Sequence, residues 1–536
     1  MTSTHSAART LAAAFVFAVL LSPAGQPAFG QLVSEPGLRG EASRGTVQPI
    51  RLSTQAVLSW PDPAPATSST HQKSYPAGPV SQSTSPLVVA DPATGTLLAG
   101  PAPAAPAIGA SWPGIGPNNG SPPPDPTLAV GLNHVVAAVN DDFAVFNKAG
   151  ANLAQIDFNT WFESNDRFFD PKCAYDHLAQ RYLCVVMRRR DSEQRSWWSL
   201  MASDDNNPVG LWYTYNFDAT LDGNTPNGLW ADYPYIGYDQ SAIYLTANMA
   251  SWPPGAAVQY AKLRIVDKSR VYNGLATGWW DFWNFQSGAS SCTGDDLRDR
   301  SLAPAQTMDT GAPAEYVLST KGCGGNALTL RRITQPLNWV AGPTLTTEVV
   351  PVGAYALPPA IQQPQVNGQP VTLNQMPNYL TDKVILRNGH LYASHTAGFT
   401  WSGDPGPRAV LKLYDLIPTA VPTVVHRQSQ FGHPGRDYYL PSVAPTATQD
   451  MVVGFGRSSD VNGEFPGLRY TVWPAGGGLL GSRNVKVGTG SYTNKNWGDY
   501  FSVQPDPADP DNVWFVGEYS QGGTNWGTWV AEIQVP

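Results

Sequence analysis

Apolar positions in this chain come in short runs, each followed by a polar turn and a second short run. Beyond the N-terminus no stretch repeats apolar residues at helical spacing over the length of a helix. The first pair is Leu128-Ala129-Val130, a turn at Asn133-His134, then Val135 to Val139. Cys173-Ala174-Tyr175 with Tyr182 to Met187, and Tyr235 to Tyr238 with Ile243-Tyr244-Leu245, follow the same plan. A weaker pair is Leu302 to Ala305 with Tyr316-Val317-Leu318. Val384-Ile385-Leu386 with Leu391-Tyr392-Ala393, Leu440 to Ala444 with Met451 to Phe455, and Phe501 to Val503 with Val513 to Val516 complete the series. Outer-strand fragments such as Gly210 to Tyr215 and Gly527 to Ile533 lie between them. Seven units of this kind predict an all-β chain folded as one seven-bladed β-propeller, with six or eight blades as neighbouring counts and a pair of β-sandwiches as the alternative. The last unit has room for only three strands before Pro536, and an open ring exposes two sheet edges. The isolated strand Ile108 to Trp112 is therefore expected to complete it.

Composition agrees with short aromatic strands joined by turns: 18 Trp, 22 Tyr, 18 Phe, 51 Gly and 49 Pro, with only 14% charged residues. A formal charge of -8 argues against a basic nucleic-acid-binding surface. Residues 1–30 read as a signal peptide, with Arg9, an apolar run from Leu11 to Leu21 and cleavage near Gly30. That run is too short for a comfortable membrane span and no later stretch approaches one, so a secreted, soluble monomer is expected. Residues 31–105 are rich in Pro, Ala, Ser and Thr and read as a disordered or extended spacer, or a pro-segment. Residues 106–536 form the propeller domain.

Export makes the four cysteines a disulfide question. Cys173 and Cys184 flank a predicted hairpin turn, which leaves Cys292 and Cys323 to pair. A Cys-ligated zinc site is the alternative, but no Cys-x-x-Cys spacing supports it.

The segments Asp125-Pro126…Ala129-Val130-Gly131-Leu132-Asn133-His134, Asp170-Pro171…Tyr175-Asp176…Arg181-Tyr182 and Trp497-Gly498-Asp499-Tyr500…Trp514…Glu518-Tyr519 resemble secreted bacterial propellers of the sialidase-like superfamily. The resemblance covers most of the chain from about residue 107 and its motifs are structural, so it implies a fold rather than an activity. Departures are plain. Ser458-Ser459-Asp460-Val461-Asn462-Gly463-Glu464-Phe465 is a near miss of the Asp-box with its Gly displaced, and the Phe-Arg-Ile-Pro motif is absent.

In a propeller the first strand of a blade starts, and the second ends, on the ligand face. The predicted entry ring is Asp125, Asp170, Asp232, Asp382, Asp437 and Asp499; the return ring is Asn140 to Asp142, Arg188, Asn248, Lys321, His395, Arg457 and Glu518. Crowded carboxylates raise one another's pKa, which can separate a general acid from a base or nucleophile, as glycoside hydrolysis requires. Glu518 and Asp499, then Asp170 and Asp232, are the candidate catalytic acids. The alternative role for such acids is to accept hydrogen bonds from the backbone of the adjoining turn. Asp125, Arg188, Arg457, His395 and Tyr519 are candidate substrate contacts. Arg188 to Arg190, Arg457 and Arg436 suit a uronate, sulfate or sialate group. Ca2+ is a second use for the acidic ring, without a contiguous Ca-loop motif. Trp197-Trp198, Trp252, Trp279-Trp280, Trp283 and Trp401 read as aromatics outside the strands, either sugar platforms or packing between blades.

The expected function is that of an exported carbohydrate-active protein acting on a polysaccharide or glycoconjugate, most simply a glycoside hydrolase. A non-catalytic glycan- or protein-binding propeller is the alternative. A polysaccharide lyase, with His395 or a Tyr as base, is the third.

Overall fold

The computed structural model describes residues 33–36, 38–40, 48–51, 88–91, 105–117, 122–285, 299–494 and 496–535. The expected signal peptide and Cys292 lie outside the described residues.

The chain is nearly all β. Successive units are four-stranded antiparallel meanders, the propeller-like arrangement that the paired runs predict. The first comprises Thr127–Val130, His134–Val139, Asp142–Asn147 and Asn152–Asp157. The second comprises Arg167–Asp176, Arg181–Arg190, Arg195–Ser203 and Leu211–Asp218. Leu229–Tyr238, Ala242–Ser251, Val258–Asp267 and Trp279–Trp283 form the third. Ala303–Thr307, Glu315–Ser319, Gly325–Thr334 and Thr344–Tyr355 form the fourth. After an inserted hairpin, Ala360–Val366 with Gln369–Gln375, comes the fifth: Val384–Arg387, His390–Phe399, Arg408–Ile417 and Val424–Gly432. The sixth is Asp437–Pro445, Met451–Ser459, Glu464–Trp473 and Arg483–Lys486. The last is Ser502–Pro505, Asn512–Gly523 and Asn525–Gln534, with Ala107–Pro113 antiparallel to its outer strand.

First and second strands are buried on both faces, which is why they read as unbroken apolar runs rather than alternating ones. The core lies between successive sheets. Phe143 meets Trp161 and Trp212 edge-on between the first and second units, and Trp198 and Leu200 pack with Ile236 and Leu245 between the second and third. The reading of Trp197-Trp198, Trp279-Trp280 and Trp283 as outside the strands is corrected. They lie on strands, where Trp198, Trp279 and Trp280 are buried.

Five of the seven first strands carry a residue with left-handed backbone at or near their start. Asp125, Asp170, Tyr233, Ser301 and Leu440 hold φ of 47°, 53°, 55°, 51° and 51°. Residues other than Gly pay about 1–3 kcal/mol for such a conformation, so the surroundings must over-determine it. Here they do so across unit boundaries. Asn140 Oδ1 accepts the Asp170 N–H at 2.6 Å. Asp170 Oδ2 accepts that of Tyr233 at 3.2 Å, and Asn248 Oδ1 that of Ser301 at 2.7 Å. Thr396 Oγ1 accepts that of Leu440 at 3.0 Å, and Asp125 Oδ1 that of Asp499 at 2.6 Å. The ladder steps register at the turn in three units, between Phe169 and Lys172, Asp232 and Tyr235, and Tyr439 and Ser442.

Parts of the expected spacer are extended strands laid on outer sheet edges. Val33–Pro36 pairs with Thr344 to Thr347, Leu38–Gly40 with Trp279 to Asp281, and Gln48–Arg51 with Leu211 to Thr214. Val88–Ala90 runs parallel to Gln430 to Gly432. Backbone pairing of this kind covers edges that would otherwise template aggregation. Cys173 and Cys184 are directly paired across the second unit and form a disulfide; no described cysteine is free. No helix among the described residues is long and apolar enough to cross a membrane.

Candidate functional site

The entry acids converge, but mostly on backbone. Asp125 is buried and binds both Asp499 N–H and Asn140 Nδ2, the latter at 2.7 Å. Asp170 is buried and caps Tyr233. Asp232 accepts from the N–H of the next residue, Tyr233, at 3.1 Å. Asp437 belongs to the opening of its strand, before the turn at Leu440; it holds the inserted hairpin through Gln362 N–H at 2.9 Å and the third strand of the fifth unit through Ala409 N–H at 2.7 Å. Burial first, against those hydrogen bonds, raises its pKa to about 6.

Beside the entry turns sits a buried ion cluster. Lys172 Nζ lies 3.0 Å from the Tyr500 ring centroid, donates to Thr381 O at 2.8 Å, and is 3.7 Å from Asp382 Oδ1. Burial lowers its pKa to about 8 despite the Asp382 carboxylate. Asp382 also accepts from Lys383 at 2.6 Å and Ser442 at 2.6 Å. Burial raises its pKa, but Lys383 and Lys172 outweigh that and bring it below the ordinary value.

Glu518 is fully buried, and its Oε2 accepts Gly498 N–H at 2.8 Å. Its Oε1 has no hydrogen-bond partner. Burial, reinforced by Asp125 and Asp499, drives its pKa well above the carboxylate range against the single Gly498 bond. A buried carboxyl with two acidic neighbours favours its protonated form. Asp499 is 9% exposed. The two acids singled out at the ends of the last hairpin are therefore neighbours at one end of that unit. Tyr519 is buried, its ring against Gly527 and edge-on to Trp529 at 6.3 Å.

Other candidates lie apart. Arg188 donates to Asp166 at 2.6 Å and faces Trp197 at 4.9 Å, and Arg190 shares the same carboxylate. His395 is fully buried between Thr396 O and the Tyr414 hydroxyl, each at 3.0 Å; burial lowers its pKa to about 3, so it is a neutral imidazole. Among the described residues the entry acids form no group of three convergent metal ligands.

Arg457 and Arg436 are brought together in a cavity of about 340 Å³ on the sixth unit. Arg469, Lys486, Glu464 and Phe465 complete its character. Glu464 serves three guanidinium groups, Arg457 at 2.7 Å, Arg436 at 3.4 Å and Arg469 at 4.0 Å. Behind Arg457 stands buried Asp91, 3.4 Å away, which also accepts from Ser482 N–H at 2.9 Å and the Tyr438 hydroxyl at 3.0 Å. Lys486 has no carboxylate partner among the described residues and lies 3.8 Å from the Trp529 ring centroid. Four cationic side chains thus face two carboxylates. Burial first, then Arg457, lowers the Arg469 pKa to about 10, which leaves it charged at neutral pH. The pocket wall from Asn462 to Phe465 is the end of the near-miss Asp-box.

Sequence reasoning named Arg457 and Arg436 but missed Arg469 and Lys486. These arrive on neighbouring strands, with Leu468 opposite Lys486, and no local spacing announces that meeting.

No model of a known protein family matches the chain, and no curated protein matches it in sequence. Solved structures similar to it include an arabinanase of Bacillus subtilis (13% identity, 55% of this chain and 93% of that chain, TM-score 0.25). A Trypanosoma rangeli sialidase in complex with the inhibitor DANA is similar at 8% identity, over 69% of this chain and 55% of that chain, with a TM-score of 0.32. A polysaccharide lyase is similar at 8% identity, over 67% of this chain and 88% of that chain, with a TM-score of 0.33. At such identities and TM-scores these likenesses assign the chain neither a family nor an activity.

Proposed function

We propose that the chain is an exported, seven-bladed propeller that binds anionic carbohydrate, a uronate- or sulfate-bearing glycan, in the basic pocket of the sixth unit. The seven-blade reading is supported by the seam between the ends of the chain. Ser502–Pro505 lies beside Thr127–Val130, and Trp112 of the N-terminal strand packs 5.2 Å from Trp514, among Leu128, Val135 and Val530. The observation that carries the binding reading is the cation surplus in an open, partly aromatic cavity. Guanidinium groups and an ammonium lining one cavity can recognise carboxylates and sulfates by charge-assisted hydrogen bonds, each worth about 1.5–3 kcal/mol.

Calorimetric titration of uronate and sulfated oligosaccharides is the test. Combined Arg436→Glu and Lys486→Glu substitution is expected to weaken binding at least ~10-fold, about 1.4 kcal/mol or more, with an unchanged melting temperature. Binding to the unaltered protein is expected to fall as salt rises. Equal affinity in the doubly substituted protein, or no binding of any anionic glycan, sinks the reading.

A second reading, glycoside hydrolysis, rests on Glu518, a carboxyl whose pKa is raised by burial beside two other acids. In it Glu518 donates the proton to the leaving oxygen and Asp499 acts as base or nucleophile. Release of reducing sugar that survives both Glu518→Gln and Asp499→Asn would remove the pair from any mechanism.

A further inference from the structure

At the opposite end of the sheets from the basic pocket, three side chains of the fifth unit converge in a way that no role above explains. His390 opens the second strand, Asp415 lies near the end of the third, and His426 near the start of the fourth. We propose that these residues form a binding site for a divalent transition-metal ion, best matched by Zn2+.

The local backbone builds the cluster. Asp415 pairs with Arg427 and Leu416 with Val425, so the register steps and His426 is the extra residue of a bulge. Bulges of this kind re-aim a side chain. His426 is exposed, and its ring stands 5.0 Å from that of His390 at 84°. On the neighbouring strand His390 Nδ1 is 2.6 Å from Asp415 Oδ1. One ligand atom from each of the three residues lies within 4.8 Å of the others.

The supporting groups fit the same role. Buried Asp415 has its second oxygen, Oδ2, engaged by Arg427 Nε at 2.9 Å, which leaves Oδ1 turned toward the imidazoles. Arg427 is itself fixed over Trp473 at 4.6 Å and on Pro474 O at 2.8 Å. It therefore orients the carboxylate but also offsets its charge, so neutral imidazoles must supply much of the affinity. Two nitrogens and one carboxylate oxygen match the donors of zinc sites that keep a fourth position for water. Ca2+ prefers six to eight oxygens, which this cluster cannot offer. Tetrahedral ligand atoms about 2.0–2.1 Å from the metal are ~3.3 Å apart, so the His390–Asp415 contact opens slightly on binding. The exposed His426 has room to close.

The experiment titrates ZnCl2 and, separately, CaCl2 into the chelator-treated full chain by calorimetry, with thermal denaturation alongside. One Zn2+ site, a melting temperature raised by Zn2+, and no response to Ca2+ are expected. His426→Ala, at an exposed bulge, is expected to retain the metal-free melting temperature and to weaken Zn2+ binding at least ~10-fold. His390→Ala should weaken Zn2+ binding to a similar degree. The site is overturned if Zn2+ does not bind, or if His426→Ala binds it as the unaltered protein does, which would place the ion on other histidines.

Discussion

Replacing Arg264 with methionine is expected to lower the stability of the protein by about 3–5 kcal/mol, read as a shift in the denaturant midpoint. Arg264 and Asp281 are both fully inaccessible and joined by two parallel hydrogen bonds, Nε to Oδ1 at 2.8 Å and Nη2 to Oδ2 at 2.7 Å. The guanidinium also donates to Asp218 O at 2.8 Å and Leu221 O at 3.0 Å, and lies between Trp198 and Trp279 at 4.9 and 4.2 Å. Methionine fills most of the volume but strands a carboxylate in a dry interior, and the desolvation of an unpaired ion dominates every other change. Asp281→Asn should be milder, because the amide still accepts one bond and keeps the Gly223 N–H contact at 2.9 Å. A combined Arg264→Met, Asp281→Leu protein should recover much of the loss. If Arg264→Met alone costs under about 1 kcal/mol, the pair is hydrated in solution as exposed pairs are.

The second large effect is a dependence on pH. Glu518 binds its proton more tightly in the folded chain than in the unfolded one, since its folded pKa is raised by burial and by Asp125 and Asp499. Between the unfolded value and the raised folded value the native state holds one more proton, so stability falls as pH rises, by up to about 1.4 kcal/mol per pH unit. Below the unfolded value the contribution is fully present. Glutamine imitates the protonated acid and does not titrate. Glu518→Gln is therefore expected to melt higher than the unaltered protein at pH 8 and about equally at pH 4, with a flatter profile between. Glu315, fully buried and also driven up first by burial, adds a slope of the same sign that Glu518→Gln leaves in place. Equal slopes in the two proteins would show that Glu518 is ionised or solvated when folded.

Much of the architecture was legible because inner strands buried on both faces leave an unmistakable trace. Val135 to Val139 and Tyr182 to Met187 are such traces, and Asp-Pro and Leu-Pro at the unit entries mark the turns where the backbone turns left-handed. The extended segments at 33–36, 38–40, 48–51 and 88–90 were not legible. Edge pairing uses main-chain groups that every sequence possesses, so composition reads only as a spacer. The acids were legible as a recurring set and their partners were not. Nothing in Asp125 or Asp170 states that the groups awaiting them are backbone amides of a unit about 370 or 60 residues away. The basic pocket was half legible, Arg457 by its place at the end of a second strand, Lys486 not at all.

The turns that begin the first strands bear on how the molecule comes apart. In four of them the amide belongs to one sheet and the oxygen that receives it to the sheet before; Asp499 N–H of the last unit is received by Asp125 of the first, and Val503 N–H on Ser442 Oγ at 2.9 Å adds a further link between units. A single sheet cannot fray at that end without breaking a bond held by its neighbour. Repeating chains with only apolar contacts between units tend to lose their ends first; here the amides of Asp170, Tyr233, Ser301, Leu440 and Asp499 are expected to exchange with solvent at one common, slowest rate. The protein then unfolds as one cooperative body rather than sheet by sheet.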